Sequence, residues 1–206
     1  NRTVGDDILP PLLVTFGLSI VIQNGLLMLF SADPRGLQIG TLSTASLALF
    51  DGLAVGYMPL LILGVALLLL LSLQWLFSRT RVGRSFRATS DDPEVAGLMG
   101  INRRHVYALA MAVAVATIGI AGVFMVMGAN ISPTDGPSRL LYAFEAVIMG
   151  GMGSLWGTLL GGIMLGVAQS VALQLDPGWG ILGGHLAFFA VLLLRPSGLL
   201  PRTRER

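Results

Sequence analysis

MPLLILGVALLLLLSLQWLF, residues 58–77, is a run of twenty residues with no charged side chain and only Ser72 and Gln74 as polar ones. At 1.5 Å per residue such a helix covers the ~30 Å hydrocarbon layer of a bilayer, which needs about 20 apolar residues. Nearly pure aliphatic content on every face suits lipid over much of its surface. The rest of the chain agrees. Of its 206 residues 54% are hydrophobic and 12% are charged, where soluble domains carry roughly 25% charge. Mean hydropathy is +0.79. A polytopic membrane protein follows.

Three compositional facts exclude chemistry. There is no cysteine, hence no disulfide framework and no thiolate metal site. All thirteen basic residues are arginine. Without lysine the polypeptide holds neither a P-loop nor a Schiff-base nucleophile. No Ser/His/Asp, metal or phosphate constellation appears. The opening NRTVGDDILPP is neither a signal peptide nor a start, so the reading expects a longer chain with one or more preceding spans.

Outward from residues 58–77, the apolar runs map the fold. A first span is expected from Ile8 to Phe30, with Asp6 and Asp7 before it and Pro10 and Pro11 in its first turn, where acids and proline suit a helix start. Within it Thr15, Ser19 and Gln23 recur every four residues and share a face, which should meet protein or a polar cavity. Asn24 lies beside them. SLALFDGLAVGY, around Asp51-Gly52, reads as a small hairpin. Another span covers Val106 to Met127, with Ala108, Ala112, Ala116, Gly119 and Gly122 forming a small-residue ladder. Ser132 to Arg139 reads as a turn. Leu141 to Gly151 is apolar but too short to cross. Gly150, Gly151 and Gly153 mark a break, after which a helix runs to about Leu173, and a last span covers Ile181 to Leu194. The expected fold is an all-α polytopic membrane protein of about five full transmembrane spans plus a half-span with a Gly-rich break. Residues 1–206 form a single transmembrane domain.

Arginine placement orients it. Six arginines face three acids between Ser78 and His105. This loop and the tail from Arg195 are expected in the cytoplasm, as is the residue 1 side. The arginine-poor loops at Ser31 to Tyr57, Ser132 to Arg139 and Asp176 to Gly180 are expected outside.

Within the basic loop, DDPEVAGLMG, Asp91 to Gly100, carries the marks of a two-turn helix. Thr89 or Ser90 would cap its N-terminus, and Asp91, Asp92 and Glu94 suit the positive end of the helix dipole. Pro93 fits only a first turn. Gly100 is a C-terminal glycine. Val95, Leu98 and Met99 share one face. An apolar knob flanked by arginine suits a groove on another protein; a membrane-surface helix or ordinary loop packing is the alternative.

Glu94 to Gly100, EVAGLMG, resembles the E-A-A-x-x-x-G docking core of ABC-importer permeases, with Val95 for the first alanine and without the downstream I-x-L-P. TFGLSIVIQN (15–24), TRVGRSFRATSDDPEVAGLMGI (80–101), AFEAVIMGGMGSLWGTLLGGIMLG (143–166) and LRPSGLL (194–200) together resemble the permease family of branched-chain amino-acid importers, the LivH class with its LivM relative. The likeness covers what would be the family's C-terminal two-thirds. It implies a cytoplasmic (inner) membrane protein of a bacterium or archaeon. It also implies two cytoplasmic ABC ATPases carrying ATP and Mg, a second LivM-like permease, and an extracytoplasmic solute-binding protein. No cofactor is expected in this chain and no nucleic-acid partner. Arg79 to Arg104 would be the ATPase-docking loop, with Asp91, Asp92, Glu94, Val95, Ala96, Leu98, Met99 and Gly100 as the coupling helix.

Candidate residues of the translocation path are Thr15, Ser19, Gln23, Asn24, Glu145, Gly150, Gly151 and Gly153. Each has a plainer reading beside it. The hydroxyls and amides can bond between helices, and the glycines can serve close packing. Glu145 can lie near a short helix start at interfacial depth and merely cap or pair, while His185 can sit at the outer boundary. His105 and His185 are expected on opposite membrane sides, and no titratable pair on neighbouring spans is apparent. An ion-coupled secondary transporter for a small polar solute, using Glu145 or the Thr15 stripe, is the alternative function. A membrane enzyme ranks last.

Overall fold

The computed structural model describes residues 9–37, 40, 45–50 and 53–200. They fall into two compact units, Asn1–Thr134 and Asp135–Arg206.

The first unit opens with α1, Leu9–Phe30. Asp6 and Asp7 lie outside the described residues. Strands β1, Ser46–Phe50, and β2, Leu53–Gly56, pair antiparallel from Ser46 opposite Gly56 to Phe50 opposite Leu53. The expected hairpin is therefore present, although its Asp51-Gly52 turn lies outside the described residues. Helix α2 runs Tyr57–Arg79, α3 runs Arg81–Asp91, α4 runs Pro93–Leu98, and α5 runs Arg103–Gly128. The ends of α1 and α5 are tied together. Arg35 and Ile131 exchange both backbone hydrogen bonds at 2.9 Å, and the Ser132 hydroxyl donates to the Ala32 carbonyl at 3.2 Å. The chains leaving these two helices thus lie at the same end of the unit, as alternating spans require.

The second unit is three helices. A 3-10 turn at Pro133–Asp135 leads into α6, Gly136–Gly150. Pro137, Ser138 and Arg139, expected in a turn, are helical instead. Proline sits in the first turn of α6, where it has no amide bond to lose. After a break, α7 spans Leu155–Leu175 and α8 spans Gly180–Leu194.

Four described helices are long and apolar enough to cross a membrane: residues 13–30 of α1, α2, α5 and α7. Helix α8 is apolar but shorter, at 15 residues. Large apolar side chains such as Leu13, Phe16, Leu68, Ile118, Phe189 and Leu193 point outward. Among the described residues the buried apolar ones are few: Met58, Ala96, Val106, Met149, Leu165 and Ala172. In water this would be untenable. In a bilayer the lipid tails solvate such faces, and helices associate by close packing of small residues. The molecule is a multi-pass helical membrane protein.

Candidate functional site

Two sites follow from this arrangement, one in each unit.

In the first unit, Thr80 is the pivot between α2 and α3. Its hydroxyl donates to the Leu76 carbonyl at 2.6 Å and accepts from the Gly83 amide at 3.1 Å. A β-carbon at Gly83 would strike the carbonyls of Leu76 and Phe77. Only glycine lets α3 start so close to the end of α2. Arg87 donates to the Phe77 carbonyl, and the rings of Phe77 and Phe86 meet at 5.6 Å. A stretch that the sequence presented as a basic loop is therefore an ordered helix.

Helix α4 follows at once, and here the sequence reading needs correction. Thr89 and Ser90 do not cap it: both lie inside α3, which ends at Asp91. Thr89 is buried and its hydroxyl has no partner among the described residues. The cap is Asp92, whose Oδ1 accepts from the amides of Glu94 at 2.9 Å and Val95 at 3.0 Å. Pro93 then occupies the first helical position. An Asp directly before a Pro was the available signal, because that pair combines a preferred cap with a preferred first residue. At the other end Ile101 donates to the Ala96 carbonyl at 3.0 Å and Gly100 to the Gly97 carbonyl at 3.1 Å, with Gly100 at φ +83°. This paired closure around a left-handed glycine is a Schellman motif. Asn102 then caps α5 through the amides of Arg104 and His105. With both ends satisfied, a helix of six residues persists where an isolated one would not.

Ala96 faces inward, 3% exposed, while Leu98 is 87% exposed and Met99 and Val95 are exposed beside it. Glu94, Asp91 and Asp92 are also exposed. The result is a rigid apolar knob held on three helices, with the exposed Arg103 and Arg104 following it.

In the second unit, α6 and α7 touch backbone to backbone. A β-carbon on Gly150 would strike the Gly157 carbonyl, one on Gly157 the Gly150 carbonyl, and one on Gly161 the Ala146 carbonyl. Gly151 at φ +102° and Gly153 at φ +83° make the turn between them, and Ser154 caps α7 through the Gly157 amide at 3.0 Å. The chain after α8 returns to this break. Leu199 donates to the Met149 carbonyl at 3.0 Å and Leu200 to the Gly150 carbonyl at 2.9 Å. Those carbonyls end α6 and have no intrahelical partner. The PSGLL stretch is thus a strap that completes α6, a role with no signature in local pattern.

Glu145 is not near a helix start. It lies deep in α6, 5% exposed, and its Oε1 pairs with Nδ1 of His185 on α8. Tyr142, one turn back on α6, stacks on the imidazole at 6.0 Å. The expectation that no titratable groups meet on neighbouring helices is overturned: packing closes a gap of forty residues. Nothing in the sequence marks these two as partners.

The stripe on α1 lies mostly on the surface of the described residues. Thr15, Ser19 and Asn24 are exposed and Gln23 is half-buried; the Asn24 amide donates back to the Ile20 carbonyl at 2.9 Å.

Residues 9–193 match the family described as branched-chain amino acid transport system / permease component. The chain belongs to that family. It is 33% identical over 205 residues to the high-affinity branched-chain amino acid transport system permease protein BraD of Pseudomonas aeruginosa, covering 96% of this chain and 66% of that one. To the corresponding permease protein LivH of Escherichia coli it is 30% identical, covering 93% and 63%. The fructose import permease protein FrcC of Rhizobium meliloti is 31% identical over 90% of this chain and 55% of its own. The chain therefore spans slightly less than two thirds of the length of these two branched-chain permease relatives. No solved structure matches it.

Proposed function

We propose that this chain is a permease subunit of an ABC importer in the cytoplasmic membrane of a bacterium or archaeon. It forms part of the path for branched-chain or related amino acids. The observation that carries the reading is α4: a short helix capped at both ends, presenting Val95, Leu98 and Met99 to the outside, within a family of transport permeases. An exposed apolar knob set among arginines suits a groove on a partner protein.

In this reading α4 docks into a cytoplasmic ATPase, and Asp91 to Gly100 acts as the coupling segment. Two ATPases, a second LivM-like permease and an extracytoplasmic binding protein complete the machine. ATP and Mg reside on the ATPases. This chain moves solute and does no bond chemistry. By the positive-inside rule the arginines around α4 and from Arg195 onward support a cytoplasmic side for both, and with them for the residue 1 side. Closure of the ATPases pushes α4, and the caps at Asp92, Gly100 and Asn102 pass the push to α3 and α5 without α4 unravelling.

Leu98→Asp tests this. Leu98 contributes almost nothing to the fold, so the variant keeps its helices but loses co-purification with the ATPases and ATP-dependent uptake. Retained docking and uptake would remove α4 from the coupling role. The pairing of buried Glu145 with half-buried His185 favours a second reading, ion-coupled transport without ATP. Uptake by the chain alone, collapsed by a proton ionophore and indifferent to ATP, would establish it.

A further inference from the structure

The acid–base pair of the second unit has no part in the coupling just described, yet its setting is demanding. Glu145 is buried in an otherwise apolar stretch of α6. One carboxylate oxygen is on His185; the other, Oε2, is enclosed with no donor among the described residues. The ionisable side chains of the three packed helices are few: Arg139, Tyr142 and Glu145 on α6, none on α7, and His185 on α8. Among the described residues, the polar partner of Glu145 is His185. A carboxylate without a partner at such a place is strongly disfavoured.

The pair is also the polar link between α6 and α8, and its position complements two others. At the end of α6, Leu199 and Leu200 strap the chain after α8 to Met149 and Gly150. Between α7 and α8, Gly183 lies against Ala172 and Gly184 against Gln169, where added β-carbons would collide with both. Helix α8 is thus held to α6 at two levels, by a side-chain clasp and by a backbone strap, with the glycine break beyond the strap.

We infer that Glu145 and His185 are positioning residues for transport: they form a clasp that stays closed through the cycle, so that α6 and α8 move as one body. Tyr142 holds the imidazole plane in the orientation that aims Nδ1 at the carboxylate. The pair does not bind solute, and its bond does not open to let solute pass.

These 206 residues include no cysteine, so an introduced thiol pair is the only one within them. The inference rests on the permease reading, which the unaltered complex tests by itself: no ATP-dependent uptake there sinks that reading, whatever the clasp does. In the reconstituted complex with its partner subunits, Glu145→Cys/His185→Cys left unlinked frees α6 from α8 at this level and should lower maximal uptake about tenfold or more, with little change in the half-saturating solute concentration. Joining the two thiols with a short bifunctional reagent should restore uptake. Uptake that stays lost after linking means that the helices must part, or that the side chains themselves touch solute, and overturns the inference. Undiminished uptake before linking overturns it as well. Should the cysteine pair fail to assemble, the exchanged pair Glu145→His/His185→Glu decides: near-normal maximal uptake supports the clasp, and an assembled but inactive complex refutes it.

Discussion

Gly150 and Gly157 occupy a single crossing point: a β-carbon placed on either one would strike the carbonyl oxygen of the other. The helices before and after the break are therefore separated by no side chain at all. In a membrane, where burial of apolar surface gives helices little reason to associate, this contact supplies van der Waals packing in its place.

Gly157→Ala forces immovable backbone apart. It is expected to cost about 1–3 kcal/mol or more, seen as a lower unfolding temperature in detergent and reduced yield of assembled protein. Gly162→Ala, five residues along α7, meets nothing within 4 Å. It should leave the unfolding temperature unchanged or raise it, because alanine is the better helix former by roughly 1 kcal/mol.

The corrected cap of α4 separates two neighbouring residues. Asp92→Ala removes the acceptor of the Glu94 and Val95 amides and should weaken α4 by about 1 kcal/mol. Hydrogen exchange at those amides should quicken, and ATPase co-purification should fall. Ser90→Ala, an exposed change inside α3, should alter neither.

At the other end of α4, Gly100 and Gly97 differ in sign. Gly100 has φ +83°, so Gly100→Ala should cost on the order of 1–2 kcal/mol through left-handed strain. Gly97 sits in regular helix, and its added methyl would meet only Arg103 Nε at 3.8 Å. Gly97→Ala should be neutral or stabilise by up to about 1 kcal/mol. Exchange of the Ile101 amide, which closes the motif, reports both.

The strap is tested through the backbone. Leu199→Pro deletes the donor to the Met149 carbonyl, leaving an acceptor unsatisfied beside a fully buried side chain, at a cost of roughly 1–3 kcal/mol. Leu200→Ala keeps its backbone bond to Gly150 and trims a half-exposed side chain. Only the first should lower the unfolding temperature markedly.

The sequence by itself determined, through hydropathy, that this chain lives in a bilayer and where its long helices run, and through its helix-end residues, that a small capped helix stands among arginines. Those conclusions are local. They depend on twenty-residue stretches of apolar content and on residues such as Pro93 and Gly100, whose backbone preferences hold wherever they are placed. The family likeness was legible for the same reason, in short motifs kept in order along the chain. Only the tertiary structure decided that Thr89 is buried while Asp92 caps, that Gly198 to Leu200 finishes α6, and that Glu145 meets His185. Each of those depends on which surfaces face one another across many residues of chain. Periodicity shows that a face exists, but what lies against it is set by how closely the backbones can approach, and here that distance is fixed by the glycines.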